Sequence, residues 1–177
     1  MIQCLLMPKL YSSDTSLARL QRQAALSIAI ATVFMITASM VIGHTMGLSG
    51  AFGAKSLLLF GLALVLFGRL LRDHLPHTSM GPANLVTLIR LALTALLAGL
   101  LAEQGPSLAW LAVGLAGIAL ILDGVDGWLA RRGGWSSKFG ARFDMETDAL
   151  LILLMCLLVW QFEKAGVWIV FSGLARY

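Results

Sequence analysis

The sequence predicts an all-α fold, a polytopic integral membrane helix bundle with about six transmembrane helices. Of its 177 residues, 59% are hydrophobic and only 12% are charged. Soluble domains usually carry about 25% charged residues, because their surfaces face water. A helix needs about 20 apolar residues to cross a bilayer, so the chain has room for roughly six crossings. The composition excludes a soluble, disordered, coiled-coil or disulfide-rich protein.

Apolar stretches separated by polar links predict the individual helices. A mildly amphipathic segment, Met1 to Arg22, precedes them and is expected at the membrane interface. Pro82 and Asn84 are typical of a helix start and of its cap, so they open the third span. The predicted spans are 24–43, 54–70, 84–102, 107–131, 139–162 and, incompletely, 165–177.

A polar stretch between Arg72 and Gly81 predicts a boundary between two parts of the chain. Residues 1–81 contain the interfacial segment and two transmembrane helices, for which a packing or anchoring role is expected. Residues 82–177 contain the remaining helices and the residues expected to form the active site.

The distribution of Lys and Arg predicts the orientation in the membrane. Basic residues cluster in the N-terminal segment and in the links at 69–83 and 131–142, whereas the links near Lys55, Glu103 and Lys164 hold one or none. Basic links face the cytoplasm. We therefore predict a protein of the cell's inner (cytoplasmic) membrane with a cytoplasmic N-terminus. Because orientation explains the net charge of +4, we expect no nucleic-acid partner.

Four carboxylates stand out against this apolar background, because charge within a membrane is costly and usually functional. Asp123 and Asp126 lie three residues apart near the end of the fourth span, and Asp144 and Asp148 lie four apart near the start of the fifth. Such spacings place each pair on one helix face. A short link predicts that the two helices are antiparallel neighbours, with all four carboxylates at one cytoplasmic level.

Four carboxylates at one level repel each other unless a cation lies among them. Hard divalent ions such as Mg²⁺ or Mn²⁺ accept oxygen ligands of this kind. Gly127, Ala130 and Gly140 lack bulk on the same faces, which leaves room for a substrate, and Arg131 suits a phosphate oxygen. The spacing alone therefore predicts a site for a metal-bound phosphate ester at the membrane surface.

The same residues form a recognisable motif. From Asp123 to Asp148 the chain matches all eight fixed positions of the pattern D-x2-D-G-x2-A-R-x8-G-x3-D-x3-D. This run resembles the signature of the CDP-alcohol phosphatidyltransferase family. Asn84, Thr87 and Arg90 also resemble the first helix of the family core. Residues 82–177 thus resemble a CDP-alcohol phosphatidyltransferase-like core that is incomplete at its C-terminus.

The resemblance implies a metal-dependent step of phospholipid synthesis. An alcohol acceptor would displace CMP from a CDP-linked donor, such as CDP-diacylglycerol, and form a phosphodiester. It further implies membrane lipids and a second copy of the chain, in a homodimer, as partners. Glycerol 3-phosphate, inositol phosphate, serine and choline all remain open as acceptors.

The resemblance also implies roles for individual residues. Among the four candidate metal ligands, Asp123, Asp126 and Asp144 would bind Mg²⁺ or Mn²⁺, while Asp148 would also act as general base on the acceptor hydroxyl. From its position between Gly140 and Asp144, Arg142 is a further candidate contact for a phosphate on the acceptor, with contact to a lipid headgroup as the alternative. The nucleotide and diphosphate pocket would be lined by Asp123, Gly127, Ala130, Arg131, Gly140 and Asp144.

Two other classes of function stay open at this point. A divalent-cation transporter or channel also uses intramembrane carboxylates, but it predicts them near the midplane of several spans. A catalytically inactive membrane scaffold is the other alternative.

Overall fold

The structure, a computed structural model, describes residues 7–73, 82–133 and 138–175. The regular structure within these ranges is entirely helical, which confirms the predicted all-α class. Residues 74–81, where the sequence predicts a boundary, lie outside the description. The helices are α1 (Met7–Met46), α2 (Gly50–Asp73), α3 (Pro82–Gly99), α4 (Leu108–Gly133), α5 (Lys138–Gln161) and α6 (Trp168–Leu174).

Helix boundaries differ from the predicted spans mainly at the N-terminal side. Helix α1 joins the predicted interfacial segment and the first span into one helix, and α2 continues to Asp73, so Arg69 and Arg72 are helical. Helix α3 begins at Pro82, whose missing N–H costs nothing at a first helical position. Asn84 lies inside the first turn and is buried. Its predicted role as a preceding cap is therefore wrong.

Many large apolar side chains of the described helices are exposed while several polar ones are buried, as expected for helices in lipid. Gln21–Met46 and Leu108–Val125 are long and apolar enough to cross a membrane, and two further apolar helices are shorter. Helix α6 has seven residues, so at about 1.5 Å per residue it is too short to cross. The number of crossings stays a prediction. Exposed apolar side chains include Leu26, Val33, Met40, Leu58 and Ile121, whereas the buried polar ones include Ser39, Ser56, Thr87, Arg90 and Thr147.

Helix α3 is the centre of the bundle. It packs against α1, α2, α4 and α5, and every residue from 87 to 100 except Ile89 is buried. Met35 of α1 and Phe52 and Phe60 of α2 belong to the same buried core. The two N-terminal helices therefore pack directly onto the helix that begins the C-terminal part.

Hydrogen bonds of polar side chains connect three segments at one end of the bundle. Glu103 accepts hydrogen bonds from Ser49 Oγ at 2.6 Å and from Lys55 Nζ at 3.1 Å. Gln161 accepts one from the Ala102 backbone N–H at 2.7 Å and donates to two carbonyls of the same turn. The α1–α2 link, the α3–α4 link and the end of α5 thus meet, in agreement with the alternating basic links. Which end faces the cytoplasm stays a prediction.

We expect Glu103→Gln to lower the stability at neutral pH by about 1 kcal/mol, a modest value because both partners of the ion pair are partly exposed. The hydrogen bond from Ser49, aided by Lys55 and opposed by desolvation, lowers the pKa of the Glu103 carboxyl below its ordinary value of 4.5. A lowered pKa contributes stability above pH 4.5 that is lost as the pH falls through the folded-state value. Thermal unfolding in detergent at pH 7 and pH 4 measures this.

The difference in Tm between the wild type and Glu103→Gln should narrow at pH 4. Glu163→Gln, which changes an exposed carboxylate in the turn after α5, provides the matched control. If the Tm difference between the wild type and Glu103→Gln were the same at both pH values, the lowered pKa of Glu103 would not be the cause of this pH dependence.

Candidate active site

Three aspartates from two helices converge on one side of the bundle. Asp123 comes from α4, and Asp144 and Asp148 come from consecutive turns of α5, so the latter two share a helix face. One carboxylate oxygen of each lies within 4.8 Å of the others. We call these three residues the acidic cluster. The fold therefore brings together carboxylates that the spacing of the sequence placed on facing stripes.

The acidic cluster surrounds a cation from a third helix, the guanidinium of Arg90 on α3. Arg90 Nη2 lies 2.9 Å from Asp123 Oδ1. Nη1 also donates to Asp144 Oδ1, and Nη2 to Asp148 Oδ1. The Arg90 side chain is only 1% exposed, whereas those of Asp123, Asp144 and Asp148 are 41%, 36% and 30% exposed. Arg90 thus covers the buried side of the cluster, and the carboxylates line its open side.

The sequence alone does not assign Arg90 to the site. Arg90 resembles a residue of the first helix of the family core, and the cation expected among the carboxylates is a metal ion. A signal was nevertheless present, because a charged residue in the middle of an apolar span is costly and usually functional. A planar guanidinium can donate to several carboxylates at once, which a lysine ammonium does less well. Burying it without those carboxylates would be strongly destabilising.

Helix α3 contacts both α4 and α5 and so connects their polar faces. The sequence predicted α4 and α5 as direct neighbours, but in the structure they contact each other only slightly. Helix α4 packs mainly against α3, and α5 packs against α3 and α6. Arg90 reaches both helices from α3, which is why the acidic cluster needs the third helix to form.

The other predicted site residues are on the same two helices. Gly127 and Gly140 are partly exposed, which is consistent with an approaching substrate. Arg142 is exposed on α5 and makes no ion pair in the described part of the structure. The side chains of three more predicted residues, all on α4, lie outside the description: Asp126, Ala130 and Arg131.

The described residues fit a divalent metal ion. Around Mg²⁺, metal–oxygen distances of about 2.1 Å place neighbouring ligand oxygens roughly 3–4 Å apart. The three carboxylate oxygens of the acidic cluster lie within 4.8 Å of one another, so small side-chain shifts would bring them to these distances. Three carboxylates and one guanidinium leave a net charge of −2, which one divalent ion balances. Oxygen ligands of this kind suit Mg²⁺ or Mn²⁺.

A sequence profile of CDP-alcohol phosphatidyltransferases matches residues 80–177, more than half of the chain. The chain belongs to the CDP-alcohol phosphatidyltransferase family. The match covers α3 to α6, and with them Arg90 and the acidic cluster, while α1 and α2 precede it. Neither a curated protein nor a solved structure is significantly similar to the chain.

Membership of this phosphatidyltransferase family confirms a membrane helical fold and a transferase of phosphate-containing groups in phospholipid synthesis. Its members use divalent metals, CDP-alcohol donors and alcohol acceptors. The acidic cluster is a group of side chains in this chain that could bind such a metal.

Proposed function

We propose that this phosphatidyltransferase transfers a phosphatidyl (phospho-alcohol) group from CDP-diacylglycerol, or another CDP-alcohol, to an alcohol acceptor and releases CMP. The acceptor oxygen bonds to the phosphorus that carries the diacylglycerol, and the bond between that phosphorus and the CMP oxygen breaks. The hydroxyl proton passes to a base. The observation that carries the proposal is the convergence of Asp123, Asp144 and Asp148 on the open side of the bundle.

The aspartates are proposed to divide two tasks. Asp123, Asp126 and Asp144 hold Mg²⁺ or Mn²⁺, which when bound would neutralise the diphosphate and stabilise the leaving CMP. Asp148, one turn further along α5 than Asp144, is the proposed general base. Its side chain is 30% exposed, so a hydroxyl group can approach it from the open side.

Small residues and an arginine are proposed to form the diphosphate pocket. Gly127, Ala130 and Gly140 leave the backbone accessible to a phosphate group, and Arg131 donates to phosphate oxygens. Together with Asp123 they belong to the motif that begins on α4 and ends on α5. They lie near the links predicted to be cytoplasmic, which agrees with a donor made from cytosolic CTP.

The reaction can be tested on the purified full chain in lipid nanodiscs. With Mn²⁺, CDP-diacylglycerol and a panel of alcohols, we expect CMP release and a new phosphodiester lipid that mass spectrometry identifies. EDTA should stop both. A cation transporter would instead move Mn²⁺ into proteoliposomes without CMP release, and a scaffold would do neither. A folded chain that releases no CMP with any acceptor would refute the proposal.

We expect Arg142→Gln to raise the KM for a phosphorylated acceptor about tenfold, since a charge-assisted hydrogen bond to phosphate is lost. Arg142 is exposed and lies between Gly140 and Asp144 in the sequence. Initial rates of CMP release at varied acceptor concentration measure it, and an unphosphorylated acceptor is the matched control, with no change in KM. An equal rise for both acceptors would assign Arg142 to another role.

A further inference from the structure

We propose that Arg90 sets the affinity of the acidic cluster for divalent metal. It holds the carboxylates together in the metal-free protein, and its positive charge opposes the binding of the metal ion. The inference concerns a residue outside the D-x2-D-G motif, and it rests on the metal site of the proposed function.

Arg90 contacts the same three carboxylates that would hold a metal ion. The guanidinium contacts the Oδ1 atom of Asp123, Asp144 and Asp148. It approaches from the buried side, because its own side chain is 1% exposed, whereas the carboxylates are open on the other side. A metal ion entering from the open side therefore shares these carboxylates with Arg90 and lies close to its positive charge.

The charge balance gives the direction of the effect. With Arg90 the cluster carries a net charge of −2, and with a neutral side chain in its place it would carry −3. Charges a few ångströms apart interact strongly, and water screens the guanidinium little on the buried side of the cluster. Removing the guanidinium therefore strengthens the attraction for a divalent ion.

In the absence of metal, the loss of Arg90 should lower the stability of the protein. Without Arg90, three carboxylates within 4.8 Å of one another lose the guanidinium that contacts all three of them. The variant then depends on metal for its stability, whereas in the wild type Arg90 supplies part of that neutralisation. Ligand binding stabilises a folded state in proportion to its affinity, so metal should raise the Tm of the variant more.

Mn²⁺ binding to the full chain in detergent, followed by electron paramagnetic resonance, tests the inference directly. For Arg90→Gln we expect a Kd at least about tenfold lower than for the wild type, a lower Tm without metal and a larger rise in Tm with Mn²⁺. Arg90→Lys, which retains the charge, should bind within about threefold of the wild type. Arg22→Gln, an exposed residue of α1, controls for overall charge.

Equal or weaker Mn²⁺ binding by Arg90→Gln would overturn the inference. If that variant does not fold, the single variant Asp148→Asn is compared with the double variant Arg90→Gln/Asp148→Asn. These two proteins have the same carboxylates and differ only in the guanidinium. The double variant should bind Mn²⁺ more tightly, and equal or weaker binding would again overturn the inference. A wild type that binds no divalent metal would instead refute the metal site of the proposed function as well.

Discussion

Asp148→Asn is expected to lower kcat for CMP release at least about a thousandfold, because an amide cannot accept the proton of the acceptor hydroxyl. Binding of CDP in the presence of Mn²⁺ should be largely retained, since Asp123 and Asp144 still converge. Single-turnover CMP release and equilibrium binding of CDP measure the two effects separately. A loss of turnover without a loss of binding distinguishes a base from a metal ligand.

Glu146→Gln is the matched control for this variant. Glu146 lies two residues before Asp148 on the same helix, is exposed, and lies outside the acidic cluster. The control removes the same charge and should have kcat close to that of the wild type. If CDP binding is lost together with turnover in Asp148→Asn, the proposed division of roles among the aspartates is wrong.

Gly99→Ala is expected to lower the free energy of unfolding by about 2–3 kcal/mol, because α2 and α3 approach too closely for a methyl group. A Cβ atom on Gly99 would overlap Ser56 Oγ and lie 2.8 Å from Phe52 Cδ2. Phe52 is 1% exposed, and Ser56 Oγ donates to the Phe52 carbonyl at 2.9 Å. Neither group can withdraw without cost. Equilibrium unfolding in detergent measures the loss.

Gly61→Ala on α2 is the control, because nothing lies within 4 Å of the added Cβ there. Alanine favours a helix over glycine by up to about 1 kcal/mol, so this variant should be as stable as the wild type or more so. Adding Ser56→Ala to Gly99→Ala should recover part of the loss, since the shortest contact disappears. A Gly99→Ala protein as stable as the wild type would contradict the close packing of α2 on α3.

The predicted helices illustrate how far local sequence patterns reach. Apolar stretches of sufficient length predicted all six helices, because the length of an apolar run is a property of the chain itself, but α1 begins at Met7, well before the predicted start at residue 24. The predicted helix boundaries were wrong where polar residues continue a helix. Arg69 and Arg72 belong to α2, and Asn84 is buried inside α3 rather than capping it. Helix ends depend on what surrounds them, which composition does not show.

The sequence by itself determined the class of protein and the aspartates of the acidic cluster. Hydropathy predicted a membrane helix bundle, and helical periodicity placed Asp144 and Asp148 on one face, as well as Asp123 and Asp126 on another. Both inferences use regularities within one segment. The motif then linked these residues to the phosphatidyltransferase family, whose profile matches residues 80–177.

The tertiary structure alone decided which helices surround the acidic cluster. Periodicity shows which residues share a face, but it does not show which helix that face contacts. The structure places α3 against both α4 and α5, and it brings Arg90 from α3 to the carboxylates of Asp123 and Asp148. A cation that neutralises part of the charge of these carboxylates is therefore present in the chain itself, far from them in sequence.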